Sequence, residues 1–223
     1  TTDKFYEEEN NYLDEVMPLY SGIITEYYKA IIGSRFRDEL EKVWGKQLFN
    51  LAELAIKTFK PEIIEDLQQE NKLSSEYTKL IASAKIDFMG EERNLSGLTP
   101  FLQHKDRAVR KQAMEAKYGF FKEHEGEFDR IYDELVKVRT KIARKLGYNS
   151  FVELGYDRMN RADYNADMVK NYRRQVLEFV VPETTALRER QRKRLGLDNL
   201  YFYDEAIAFN SGNATPKGDP EWI

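Results

Sequence analysis

The chain has 223 residues, 33% of them charged, with 35 Lys and Arg against 39 Asp and Glu for a net charge of −4. It contains no cysteine, which excludes disulfides, thiol nucleophiles, iron–sulfur clusters and cysteine-type zinc sites. A mean hydropathy of −0.69, the acidic balance and only 12 Gly and 6 Pro argue against a nucleic-acid-coating protein and for a soluble, mostly helical one of one large or two small domains. No run approaches the ~20 apolar residues of a membrane span, and the first residues carry no apolar signal core. Leu13, Val16, Tyr20, Ile23, Tyr27 and Ile31 step by three or four and mark one face of a first helix. Pro18 is expected to kink that helix and Gly33 to end it. Ser34 is the expected cap of a short helix carrying Phe36, Leu40 and Val43, stopped by Gly45. A third helix holds Leu48, Leu51, Leu54 and Ala55 and stops before Pro61, which suits the first position of the next. Ser74 and Ser75 are expected to begin a further helix with Tyr77, Leu80, Ile81 and Ala84.

The helical period then breaks. Lys85-Ile86-Asp87-Phe88, a turn over Met89-Gly90-Glu91-Glu92 and a return through Arg93-Asn94-Leu95 read as a small β-hairpin. Ser96 or Thr99, with Pro100, opens a short helix after it. Asp106 caps the next helix, whose stripe is Val109, Ala113, Ala116 and Phe120. Past Gly126 the stripe resumes with Phe128, Ile131, Leu135, Val138, Ile142 and Leu146, ending at Gly147. Asn149 or Ser150 caps a shorter piece through Leu154, and a last long helix runs from about Ala166 to Arg194, interrupted by Pro182 and ended by Gly196. Residues 211–223 read as a loop or linker.

Few residues suggest chemistry. His124-Glu125 starts like the zinc-protease signature His-Glu-x-x-His, but the fifth position is Phe128, so the pair of imidazoles on one helix face is missing. His124 then reads as a solvated surface histidine and His104 as a residue near a helix start. No nucleophile elbow or phosphate-binding glycine loop is present, and the carboxylate runs Glu7-Glu8-Glu9 and Glu91-Glu92 read as solvated faces. Arg188, Arg190, Arg192, Lys193 and Arg194 could contact RNA, but they fit better as a cationic helix C-terminus. Arg107, Arg110 and Lys111 with Glu115 fit pairing along one helix. Tyr156, Arg158, Arg161, Tyr164 and Tyr172 could line a peptide-binding cleft, or form a helix–helix interface with a wet edge.

The stretch from Ile131 through Tyr148, with Phe151-Val152-Glu153-Leu154-Gly155-Tyr156 and Arg158-Met159-Asn160-Arg161-Ala162-Asp163-Tyr164, resembles oligoendopeptidase F, of the M3 family of zinc oligopeptidases. Ile86-Asp87-Phe88 with Gly90-Glu91-Glu92, Asp106-Arg107-Ala108-Val109-Arg110 with Ala113, and Tyr203-Asp204 resemble the same family, so the likeness runs over essentially the whole chain. It implies a mainly α, multi-helical domain with one β-hairpin (about 85–95), part of a larger helical peptidase fold. Residues 1–210 would be a channel wall and 211–223 a linker toward an absent catalytic segment. The family's His-Glu-x-x-His helix, its further glutamate ligand and its oxyanion-stabilising His and Tyr have no counterpart here, so no catalytic or metal-binding residue is carried over. The chain is accordingly expected to be an internal fragment, inactive alone, of a cytoplasmic zinc enzyme that cleaves short peptides. Its partners would be those peptides and the rest of the parent chain, with neither nucleic acid nor membrane. Tyr156, Arg158, Arg161 and Tyr164 are the cleft candidates. A helical protein-binding scaffold and an RNA-binding helical module are the alternatives.

Overall fold

The computed structural model describes residues 3–214 and 218; the remaining positions of the expected 211–223 linker lie outside the described residues. The fold is mainly α with one two-stranded antiparallel sheet. Two compact units divide it, residues 1–80 with 126–171, and residues 81–125 with 172–223.

The first unit begins with α1 (Lys4–Ile32), whose cap Asp3 accepts from the Phe5 N–H at 2.9 Å. Pro18 lies inside this helix and does not end it. Then come α2 (Arg37–Trp44), α3 (Lys46–Lys57), a short 3-10 turn at Pro61–Ile63 and α4 (Ile64–Ala82). The second helix does not start at Ser34. The Ser34 hydroxyl accepts from the Phe36 N–H and its carbonyl from the Arg37 N–H, so Ser34 closes a turn and Phe36 takes the cap position. No helix begins at Ser74 either: α4 is continuous, and the Ser74 hydroxyl bonds back to the Glu70 carbonyl at 2.9 Å, a conformation that leaves the helix intact.

The unit is completed by α7 (Glu125–Lys145), α8 (Phe151–Arg158) and the start of α9 (Ala166–Gln175). Its core gathers Phe59, Ile63 and Leu73 against Val138, Ile142, Ala143, Leu146, Tyr148 and Leu154. Buried carboxylates on α4 tie the helices together. Asp66 meets Lys141 and Lys145 at 2.7 and 2.6 Å, and Glu70 meets Arg139 at 2.7 Å and Arg158 at 2.9 Å. Burial pushes the Asp66 carboxyl up, but the two ammonium groups outweigh it and hold it below the ordinary aspartate value.

The second unit carries the hairpin, β1 (Ile86–Phe88) and β2 (Glu91–Arg93), then α5 (Thr99–Leu102), α6 (Arg107–Glu123), the end of α9 and α10 (Val181–Arg194). The turn is shorter than the sequence suggests. Only Met89 and Gly90 form it, both with positive φ (53° and 82°), the geometry of a two-residue hairpin loop, while Glu91 and Glu92 pair with Phe88 and Asp87. Asp106 caps α6 as expected, accepting from the Ala108 N–H at 2.8 Å. Between α9 and α10 the chain stays helical through one wider π turn, Val176–Val180, which directly precedes Pro182, the residue the sequence marks as an interruption. Among the described residues no helix is long and apolar enough to cross a membrane.

Helix α7 ends in a Schellman motif, with Tyr148 N–H on the Ala143 carbonyl, Gly147 N–H on that of Arg144, and Gly147 at φ +91°. Nothing lies within 4 Å of where a Cβ would sit on Gly147 or on the helical Gly119. Gly147→Ala is therefore expected to cost about 1–2 kcal/mol through backbone strain alone. Gly119→Ala, inside α6, should gain about 0.5–1 kcal/mol. Urea unfolding of the two variants measures the contrast.

Candidate functional site

In the first unit, the turn after α7, one face of α8 (Val152, Glu153, Tyr156 and Asp157) and the loop beyond it border a cleft of about 510 Å³. Two left-handed residues shape it. Gly147 turns the chain so that Tyr148 goes inward, and Asn160 (φ 55°) ends α8 with a second Schellman motif, Arg161 N–H on the Tyr156 carbonyl and Asn160 N–H on that of Asp157. That fold-back sets the Arg161 guanidinium 4.3 Å from the Tyr156 ring centroid and 5.5 Å from that of Tyr164. Held between two rings, Arg161 has no carboxylate or carbonyl acceptor for its guanidinium among the described residues, so its donors are available to a ligand.

The cleft floor is already paired. The Tyr148 hydroxyl donates to Asp157 Oδ2 at 2.6 Å, and Lys57 Nζ lies 2.7 Å from the same oxygen and 5.0 Å from the Tyr148 ring centroid. Burial and the neighbouring carboxylate push the Tyr148 phenol well above its ordinary value, so it stays a neutral donor. The site can bind an acceptor-rich, partly apolar chain, and in its one hydroxyl–carboxylate pair, Tyr148 with Asp157, the carboxylate is also held by Lys57.

Tyr156, Arg161 and Tyr164 thus come together, whereas Arg158 does not join them. Arg158 turns to Glu70 and lines a separate cleft with Thr25, Phe59 and Ser74. Tyr172 stands exposed on α9 and is not part of the cleft lining. Neither histidine is a ligand in waiting. His104 Nδ1 accepts the Asp106 N–H at 3.1 Å. His124 is half-buried rather than a solvated surface residue, because it caps α6 with its ring 4.7 Å from that of Phe120. The 17 residues of α6 lie between the two in the chain. Among the described residues no three His, Cys, Asp or Glu side chains gather as a metal site.

The second unit holds a buried centre that sequence reasoning missed. Asp204 is 0% exposed, and both its oxygens are taken: by Arg107 at 3.0 and 2.8 Å, by Arg110 at 2.9 Å and by the Tyr201 N–H at 3.1 Å. Arg110 also donates to the carbonyls of Tyr203, His104 and Lys105. Arg107 and Arg110 therefore serve a carboxylate 94 to 97 positions away rather than pairing along α6, where Lys111 meets Glu115 at 3.6 Å. Three arginines of the basic stretch of α10 bond to backbone of the following loop, while Arg190 and Lys193 stand exposed. Arg188, Arg192 and Arg194 donate to the carbonyls of Glu205, Leu197 and Ala208, and the buried Gln191 amide donates to that of Ile207 at 2.6 Å.

Comparison with known proteins follows the same outline. The M3 peptidase N-terminal domain matches residues 1–59, and peptidase family M3 matches residues 101–210. A crystal structure described as an oligoendopeptidase F from Bacillus anthracis strain Ames is 61% identical with a TM-score of 0.94, covering 99% of this chain and 41% of its own. A second structure described as an oligoendopeptidase F, determined at 3.1 Å, is 59% identical (TM-score 0.95), and Pz peptidase A with an inhibitor is 57% identical (TM-score 0.96); each covers 99% of this chain and 39% of its own. No curated protein matches significantly. The chain thus spans about two fifths of the length of the solved structures it matches. With two models of one family falling on most of its residues, and that likeness sustained over its entire fold, the chain belongs to peptidase family M3.

Proposed function

We propose that this chain is the non-catalytic helical part of a zinc metallo-oligoendopeptidase, enclosing the path by which short peptides reach a catalytic centre carried elsewhere. The observation that carries the proposal is the identity of 57–61% over 99% of the chain with proteins more than twice its length. Peptide cleavage by zinc needs an activated water and a polarised carbonyl. This chain's own residues contribute binding instead: Arg161, braced by Tyr156 and Tyr164, would hold a peptide carboxylate or carbonyl in the cleft. Packed helices tied by buried carboxylates form a wall stiff enough to exclude folded substrates. The parent enzyme would act in the cytoplasm.

Supplied with zinc and a quenched-fluorescent peptide, the 223-residue chain is expected to give no hydrolysis above buffer. Placed within a full-length M3 enzyme, Arg161→Ala should raise KM for short peptides several-fold while kcat changes by less than about twofold, the pattern of lost uniform binding. Turnover by the purified chain alone would overturn the reading. An unchanged KM would remove Arg161 from it.

A further inference from the structure

Helix α1 is amphipathic, yet it turns its polar side inward. On that side Gln68 Nε2 donates to the Glu15 carbonyl at 2.7 Å, Asn71 Nδ2 to the Asp14 carbonyl at 3.0 Å, and Asn10 Nδ2 to the Ser75 hydroxyl at 3.1 Å. Lys72 pairs with Glu15 and Lys79 with Glu7. Pro18 and Thr25 are the buried residues of the helix, and Gly22 packs on the Phe59 ring. The opposite face carries Leu13, Tyr20, Ile23 and Tyr27 of the stripe that the helical period picks out, with Ile23 66% and Tyr27 63% exposed, while its other members, Val16 and Ile31, are half-buried.

In all, ten large apolar side chains of α1 stand open to solvent. At about half of each side chain's area that is roughly 1,000 Å². The largest apolar patch on an ordinary monomer is about 300–600 Å², and one side of a stable interface is about 800 Å². The patch therefore has the size of a buried interface. Two of the acidic side chains of α1, Glu7 and Glu15, meet lysines of α4, and Lys4 with Glu8 and Lys29 with Glu26 pair along the helix itself.

We propose that the outward face of α1 is a docking surface, and that its occupant is an apolar surface from the three fifths of an M3 enzyme that lie beyond the matched region. The inference rests on the peptidase reading for the identity of the occupant. The relatives' additional length supplies an attached partner at high effective concentration, which a face this apolar and this long needs.

The test sets the same substitution in two contexts. Ile23→Glu, and the milder Tyr27→Ala, are made in the 223-residue chain and in a full-length oligoendopeptidase F in which this chain replaces the region it matches. In the chain alone both variants should leave the urea midpoint unchanged, because the residues are exposed there. In the full-length protein Tyr27→Ala should lower the thermal midpoint by several degrees, and Ile23→Glu should cut the folded yield or peptide turnover more than tenfold. Equal effects in both contexts, no effect in either, or an unsubstituted chimaera that does not fold would overturn the proposal. So would a dimer of the chain that Ile23→Glu dissolves while the full-length protein is unaffected, which would make a second copy the occupant. A well-folded chimaera without peptidase activity would instead sink the peptidase reading and leave the stability comparison standing.

Discussion

Replacing Asp204 with alanine is expected to cost about 3–5 kcal/mol, the usual result of stripping one partner from a buried ion pair. Arg110 is the reason for the size. Its side chain is buried and already spread over three carbonyls, so without the carboxylate its charge has nowhere to go, whereas the half-exposed Arg107 can turn to water. Asp204→Asn keeps an acceptor and should lose less. Urea unfolding, read together with hydrogen exchange in α6 and in the loop before Ile207, would locate the loss in the second unit. A change below about 1 kcal/mol would mean that the centre is only decorative. The acid limb gives a second readout. Burial pushes the Asp204 carboxyl up, but the hydrogen bonds from Arg107, the Tyr201 N–H and Arg110 outweigh it and hold it below the ordinary aspartate value. A depressed carboxyl contributes fully above the unfolded value, near pH 4, and loses its contribution as the pH falls through the folded one. The stability curves of the wild type and Asp204→Asn should therefore stand apart above about pH 4 and draw together progressively as the pH falls below it toward the depressed folded value.

Leu154→Ala should cost about 2–5 kcal/mol, through the lost transfer energy and the cavity left behind. The side chain is 0% exposed in the core cluster of the first unit, beside Ile142, Ala143 and Tyr148. Helix α8 has only eight residues, too few to hold itself in water, so Leu154 seats it together with Phe151 and the ion pairs of Asp157 and Arg158. The same helix carries Tyr156 and Asp157, and its loosening should reach the cleft. Hydrogen exchange should rise in α8 more than in α6, and Val152→Ala, on the exposed side of the same helix, should fall within about 0.5 kcal/mol of wild type. Equal costs for the two would show that α8 is held by something other than Leu154.

Elements whose cues are local could be read from the sequence. Asp106 before α6, Gly147 after α7 and the hairpin glycine at 90 each act within a turn of themselves, and each does what its chemistry dictates. Local cues also misled. Ser74 looks like a cap because its hydroxyl can satisfy backbone, yet in α4 it bonds the preceding turn and the helix passes through. The Tyr156–Arg161–Tyr164 cluster was partly legible because nine residues span it, while Arg158, in the same stretch, leaves for Glu70 on a helix far back in the chain. Asp204 was out of reach: nothing near it in sequence announces two arginines more than ninety positions away. The α1 stripe shows a different limit. Periodicity reveals that a helix has two sides, but which of them meets this chain depends on partners that the period does not encode.

The way the early part of α1 is seated has a calorimetric consequence. From Glu7 to Glu15 that seat consists of amide hydrogen bonds and ion pairs rather than apolar contact. Exposing polar surface lowers the heat capacity whereas exposing apolar surface raises it, so releasing this segment should add little curvature to the stability curve. Its opening would keep nearly the same free energy from cold to warm, while the Leu154 core beneath α8 weakens at both extremes.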